Sequence, residues 1–213
     1  MVWVKICGIT RESDVASAVG AGADAVGFIC GFPASPRNIS FERVAELAGE
    51  VPPFVSPVLV TTDEVVERRG SELRETQINT LQLYGIVVDP DRLRKTLGVR
   101  LIRPYIVKSE DVGLAKVEAA GFDALLTDTY VPGKQGGSGS ASDWRLCRRI
   151  RDAILPVPLM LSGGLSPENV AEAVATVRPF AVDVSSGVER SPGVKDAGRV
   201  AEFIRRAKEA DLR

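Results

Sequence analysis

The sequence contains no histidine. That count excludes a Ser-His-Asp triad, a Cys-His dyad, a His-ligated zinc or iron site and a His general base. Any chemistry must run on Asp, Glu, Cys, Lys, Arg or backbone groups. An excess of one charge is also missing: 27 Lys+Arg stand against 28 Asp+Glu, a formal net charge of −1. This argues against a chain that coats nucleic acid or an anionic membrane by bulk electrostatics. The three cysteines, Cys7, Cys30 and Cys147, form neither an even disulfide framework nor a CxxC pair, which fits a reducing compartment. There is no basic segment leading into an apolar h-region at the N-terminus, and no run of about 18 or more apolar residues. The expectation is a soluble, unexported, cytoplasmic chain without a nucleic-acid or membrane partner.

What is present is an alternation. Short β-branched runs alternate with longer segments of helical period, the signature of βα units around a parallel sheet. Strands are expected at Val2–Ile6, Ala25–Ile29, Phe54–Val60, Thr80–Leu83, within Arg100–Val107, and at Ala124–Thr127, Leu159–Leu161 and Phe180–Val184. Apolar residues recur at three or four residues between them: Val15, Ala18 and Val19; Val112, Ala115 and Val117; Val170, Ala173, Val174 and Val177; Val200, Phe203, Ile204 and Ala207. Ser166-Pro167-Glu168 reads as a helix start, with a capping hydroxyl, a proline at the first helical position and an early acid. Ala21-Gly22-Ala23-Asp24-Ala25 is echoed about half a chain later by Ala120-Gly121-Phe122-Asp123-Ala124. Eight βα units with such an echo favour a closed (β/α)8 barrel of the TIM type over an open doubly wound sheet. One barrel over residues 1–213 accounts for the whole length, with the active site expected at the C-terminal ends of its strands.

The residues that follow each strand therefore matter most. After the first come Cys7-Gly8-Ile9-Thr10. Cys7 is either a small buried hydrophobe or a thiol whose thiolate the following helix N-terminus favours. Cys30 and Cys147 sit in apolar surroundings and read as packing residues. Asp128 closes the apolar run Ala124–Thr127; it is an N-cap, a loop ion pair, or a carboxylate with a chemical task. The loop from Gly133 to Ser140, with Gly136, Gly137 and Gly139, has the composition of a lid or hinge. Ser162-Gly163-Gly164-Leu165 and Ser185-Ser186-Gly187-Val188-Glu189 follow strands seven and eight. As a pair at those positions, Gly163/Gly164 and Ser186/Gly187 match a phosphate cradle built from backbone N–H groups. Asp183 is a further acid in an apolar strand and points at the mouth or at a hydrogen-bond partner. Arg37 is a surface charge or, since it follows strand two, a bidentate fork for a substrate carboxylate.

These residues, in this order, resemble the phosphoribosylanthranilate isomerases of tryptophan biosynthesis. The resemblance is carried by Val4-Lys5-Ile6-Cys7-Gly8-Ile9-Thr10, Gly22-Ala23-Asp24-Ala25-Val26-Gly27-Phe28, Ser35-Pro36-Arg37, Pro52-Pro53-Phe54-Val55, Gln82-Leu83, Gly136-Gly137-Ser138-Gly139 with Asp143-Trp144, Leu161-Ser162-Gly163-Gly164-Leu165 with Pro167-Glu168-Asn169-Val170, and Arg178-Pro179-Phe180 through Val184-Ser185-Ser186-Gly187-Val188-Glu189. It implies an Amadori-type aldose–ketose isomerisation of a small phosphorylated substrate, with no metal or organic cofactor, by a monomer or homodimer. It implies Asp128 as general acid and Cys7 as general base. Arg37, Gln82 and Asp183 are implied for the substrate, with Arg37 on the anthranilate carboxylate, and Gly163, Gly164, Ser186 and Gly187 for the phosphate.

The chain departs from the family pattern on the ring side of the mouth. Tyr84 stands where the family usually has a histidine, and Ile86-Val87 where it usually has an acidic pair. Cys30-Gly31-Phe32-Pro33, Thr61-Thr62-Asp63 and Ser140-Ala141-Ser142 differ as well. Two other readings are a paralogue acting on a different phosphoribosyl-amine and a non-catalytic phosphate-binding barrel; retention of both Cys7 and Asp128 argues against the second.

Overall fold

In the computed structural model, which describes residues 1–85, 89–107, 112–129 and 143–210, the alternation becomes a closed parallel barrel. Its strands are β1 (Trp3–Cys7), β2 (Ala25–Ile29), β3 (Ser56–Thr62), β4 (Thr80–Tyr84), β5 (Arg100–Val107), β6 (Ala124–Thr129), β7 (Leu159–Leu161) and β8 (Ala181–Val184). They pair in chain order, and β8 closes the ring on β1 with Lys5 opposite Asp183. The helices are α1 (Glu12–Gly20), α2 (Phe41–Gly49), α3 (Asp63–Leu73), α4 (Pro90–Leu97), α5 (Val112–Ala119), α6 (Trp144–Ile154), α7 (Val170–Val177) and α8 (Ala197–Ala210). Between β8 and α8 lie a 3-10 turn (Ser186–Val188) and a hairpin of β9 (Glu189–Ser191) and β10 (Val194–Lys195).

Strand parity divides the interior in two, because successive side chains point to opposite faces. One set, including Val4, Ile6, Val26, Phe28, Leu59, Leu81, Leu101, Leu125, Leu161 and Val182, packs with the helices in the main core. The other set fills the barrel itself: Ala25, Val58, Ile102 and Leu126, with Ala124 and Met160, form a separate apolar cluster. Lys5, Cys7, Gln82, Tyr84, Asp128 and Asp183 share the parity of this inner set. The polar residues that interrupt apolar strands are therefore stacked above its apolar floor.

The half-chain echo has a physical basis. Gly22 and Gly121 each adopt positive φ (91° and 80°) where a helix turns into a strand. The aspartate two residues later does the same work in both halves: Asp24 accepts a hydrogen bond from Val4 N at 2.8 Å, and Asp123 from Leu101 N at 2.8 Å. Each also donates its own amide to the carbonyl of that same residue.

Three local expectations are corrected. Phe54 lies in a turn, 97% exposed, and β3 starts at Ser56 once the chain reaches the sheet. Val117 faces solvent while Ala115 and Ala119 carry the buried face of α5. α7 begins at Val170 rather than at Pro167, because Ser166–Asn169 form a turn in which Ser166 Oγ accepts from Glu168 N at 3.3 Å and Asn169 Oδ1 accepts from Ser166 N at 2.8 Å. Among the described residues no helix is long and apolar enough to cross a membrane.

The paired aspartates yield a prediction. Asp24→Ala and Asp123→Ala each orphan a strand amide and lower the unfolding free energy by about 1–3 kcal/mol, measurable by urea titration. Since they lie in opposite halves, the double variant loses the sum.

Candidate active site

All nine described site residues expected from the sequence line one cavity at the C-terminal ends of the strands: Cys7, Arg37, Gln82, Asp128, Gly163, Gly164, Asp183, Ser186 and Gly187. Gly136, Gly137 and Gly139 lie outside the described residues. Cys7 ends β1, and Asp128 stands near the end of β6, on the far side of the ring by strand order. Both are buried, at 5% and 6% exposure. Thiol and carboxylate thus face one space from different walls.

The most buried charge in the cavity floor escaped the sequence reading. Lys5 is 1% exposed, and its ammonium donates to Asp183 Oδ1 at 2.8 Å and to Gln82 Oε1 at 2.9 Å. Burial alone lowers an ammonium pKa, but Asp183 and Cys7 more than offset it, and Lys5 is held above its ordinary value. The signal was present in the sequence: a lysine between Val4 and Ile6 has the same parity as Cys7, and a charge at that parity belongs to the barrel interior. Gln82 Nε2 in turn donates to the Tyr84 hydroxyl at 3.4 Å. Burial, followed by the Asp128 carboxylate, pushes the Tyr84 phenol well above its usual range, so it stays protonated. Its ring meets Phe32 edge-on, centroids 5.4 Å apart.

A second ionic group also came from outside the sequence reading. Glu189 accepts from Arg37 Nε at 2.8 Å and Nη2 at 2.7 Å, and from Lys195 Nζ at 2.8 Å. Lys195, on β10, also donates to the Ser185 carbonyl at 3.1 Å. Burial lowers the Lys195 ammonium below its ordinary value against the pull of Glu189. Here the expectation for Arg37 is corrected: its bidentate fork is closed on Glu189. Nη1 is the guanidinium nitrogen outside that fork.

The expectation for Cys7 is corrected too. α1 does not start until Glu12, with Arg11 as its N-cap, and a helix dipole acts only over its first turn. Burial instead pushes the thiol above its ordinary value of 9.0; Lys5 pulls it down, Asp183 pushes it up, and Lys195 pulls it down again. Whatever favours the thiolate comes from ammonium groups, not from a helix.

The glycine turns after β7 and β8 stand side by side. Gly163 and Gly164 both have positive φ (91° and 66°) and line the cavity. Gly187 lies so close to the other turn that a Cβ there would fall 2.0 Å from the Leu165 carbonyl oxygen. Among the described residues none accepts from the amides of Gly163, Gly164, Ser186 or Gly187. Asn169 braces the first turn by donating Nδ2–H to the Gly164 carbonyl at 2.9 Å. Arg199 braces the second through the Gly187 carbonyl and reaches Glu168 at 3.0 Å, tying the two turns together.

A buried thiol and a carboxylate on one cavity, beside two glycine turns, is an arrangement for moving protons on an anionic substrate. Comparison with known proteins agrees. The family model described as N-(5'phosphoribosyl)anthranilate (PRA) isomerase matches residues 4–206. The chain belongs to this family. It is 44% identical over 213 residues to the N-(5'-phosphoribosyl)anthranilate isomerase of Haloferax volcanii, covering 99% of this chain and 95% of the relative. Among solved structures, it resembles phosphoribosyl anthranilate isomerase from Thermotoga maritima at 42% identity and TM-score 0.84, covering 98% of this chain and 100% of that one. Another crystal structure of such an isomerase, in complex with reduced 1-(o-carboxyphenylamino)-1-deoxyribulose 5-phosphate, matches at 40% identity and TM-score 0.80 over 98% of this chain and 100% of that one.

The family motif glycine on β2 shows how tightly the site is packed. A Cβ on Gly27 would lie 2.9 Å from Cys7 Sγ and 3.1 Å from Lys5 Cε. Gly27→Ala must displace the thiol, and the expected result is a fall in kcat of about 10²-fold in a steady-state assay, with the barrel still folded by circular dichroism.

Proposed function

We propose that this chain isomerises N-(5'-phosphoribosyl)anthranilate to 1-(2-carboxyphenylamino)-1-deoxyribulose 5-phosphate, with Asp128 as general acid and Cys7 as general base. One observation carries the reading: a thiol and a carboxylate face the same cavity from β1 and β6, and the arc of strands between them ends in the two glycine turns. The phosphate docks on the amides of Gly163, Gly164, Ser186 and Gly187. That anchors the ribose between Asp128 and Cys7 and points the aryl group toward the β2–β4 side, where Ile29, Phe32, Val60 and Tyr84 supply apolar surface.

The chemistry follows from this placement. Asp128 gives its proton to the furanose ring oxygen, the C1'–O bond breaks, and the anthranilate nitrogen lone pair forms a protonated Schiff base at C1'. The iminium makes the C2' hydrogen acidic. Cys7, as thiolate, removes that proton, and the electron pair moves to give the enolamine. Protonation at C1' and loss of the hydroxyl proton at C2' give the ketone, so the reaction is an internal redox exchange that needs no outside oxidant. Burial raises the thiol pKa and the Lys5 and Lys195 ammonium groups pull it down, so the thiolate depends on those two charges. Arg37 meets the anthranilate carboxylate through Nη1, its fork remaining on Glu189; Asp183 and Gln82 orient the sugar while holding Lys5. The reading places the enzyme in tryptophan biosynthesis in the cytoplasm, as a monomer or homodimer.

The test is turnover of N-(5'-phosphoribosyl)anthranilate, followed by loss of its fluorescence, for the wild type, Cys7→Ala and Asp128→Asn. Turnover by the wild type and a loss of at least about 10²-fold in each variant is the expected result. Full activity in Cys7→Ala overturns the base assignment. A wild type inactive on this substrate, yet binding a different aminated sugar phosphate, points to the paralogue.

A further inference from the structure

We propose that Lys5 is the positioning residue that makes Cys7 a base, its ammonium serving as the counter-ion of the thiolate. The inference rests on Cys7 being the proton acceptor. Lys5 lies two residues before Cys7 on β1 with the same inward parity, one layer deeper in the barrel. An ammonium has three donors. Asp183 Oδ1 at 2.8 Å and Gln82 Oε1 at 2.9 Å take two of them and fix the head group. Lys5 and Cys7 share one face of β1, close enough for ammonium and thiol to act on each other electrostatically. The open space above Gly27 brings sulfur and lysine together: the position of a missing Cβ is 2.9 Å from Sγ and 3.1 Å from Cε.

The other charges that face the thiol are less suited to this role. Asp183, on β8, repels a thiolate and is already compensated by Lys5. Lys195, on β10, and Arg37, after β2, both act on the thiol electrostatically but share Glu189 as their salt-bridge partner. Tyr84, on β4, is neutral. Lys5 is the cation that lies on the thiol's own strand and face, is not held by Glu189, and is buried where its field is least screened. Its bond to Asp183 keeps it protonated, and at the sulfur the pull of the ammonium exceeds the push of the carboxylate.

A merely structural lysine, present to neutralise Asp183, makes a different prediction. The measurement is the pH dependence of Cys7 alkylation by iodoacetamide, read at the Cys7 peptide by mass, in the wild type, Lys5→Met and the paired variant Lys5→Met/Asp183→Asn. The paired variant leaves no buried carboxylate without its cation and guards against misfolding of the single one. In Lys5→Met the alkylation midpoint is expected to move up by about one pH unit or more, a tenfold loss of thiolate at neutral pH; the paired variant is compared with Asp183→Asn alone, above which its midpoint is expected to lie. In Lys5→Met, kcat at neutral pH falls by a similar factor with KM little changed, and recovers as pH rises. A paired variant with the midpoint of Asp183→Asn alone means that Lys5 does not act on the thiol and overturns the inference. If Cys7→Ala is inactive but Lys5→Met titrates as the wild type, the base assignment stands and this inference fails. If Cys7→Ala is fully active, both fall.

Discussion

A lysine ammonium inside a barrel must be matched by a carboxylate, and the Lys5–Asp183 pair meets that requirement across the seam where β8 closes on β1. Breaking such a buried pair from one side costs about 3–5 kcal/mol, because the remaining charge is left without water or partner. Much of the mouth follows from it. Gln82 is oriented by the same ammonium, Gly27 must lack a side chain beside it, and Cys7 sits above it. The pair lies between the apolar floor of Ala25, Val58, Ile102 and Leu126 and the residues that face the substrate space.

A second, shallower set of charges frames the same thiol. Arg37, Glu189 and Lys195 come from the loop after β2 and from the hairpin that precedes α8, and they share one carboxylate. Burial works against every ion in both groups, and mutual pairing keeps the ions charged. The chain has no imidazole, and among the described residues no carboxylate is hydrogen-bonded to the thiol. The barrel instead surrounds it with fixed positive charge. On the proposed reading, a histidine-free chain thereby meets a demand that imidazole could otherwise meet, while Tyr84 is neutral and packed on Phe32.

Much of this was legible in the sequence, for physical reasons. Eight strands and four of the helices declared themselves through period, and the echo around Asp24 and Asp123 marked a real repeat of hydrogen bonds. Polar residues closing apolar strands led to Cys7, Asp128, Asp183 and both glycine turns, because a barrel puts those positions at one mouth. The partners did not show. Lys5 and Asp183 are 178 positions apart, and Arg37 and Glu189 are 152 apart, so no local pattern links them. The same distance concealed that the Arg37 fork was already occupied. Local rules also misplaced the start of α7, where Asn169 spends its side chain on the glycine turn rather than on a helix cap. Lys5 alone was readable, since parity put it inside, but an inward lysine gains a role only once its partners are known.

The central claim is that this cavity removes a proton from C2' of a phosphoribosyl-amine. The most direct measurement is the single-turnover rate on N-(5'-phosphoribosyl)anthranilate carrying deuterium at C2', beside the unlabelled compound. The account predicts a several-fold slower reaction with the label and its loss from C2' in the product. Equal rates, or conversion to a product that keeps deuterium at C2', would contradict it.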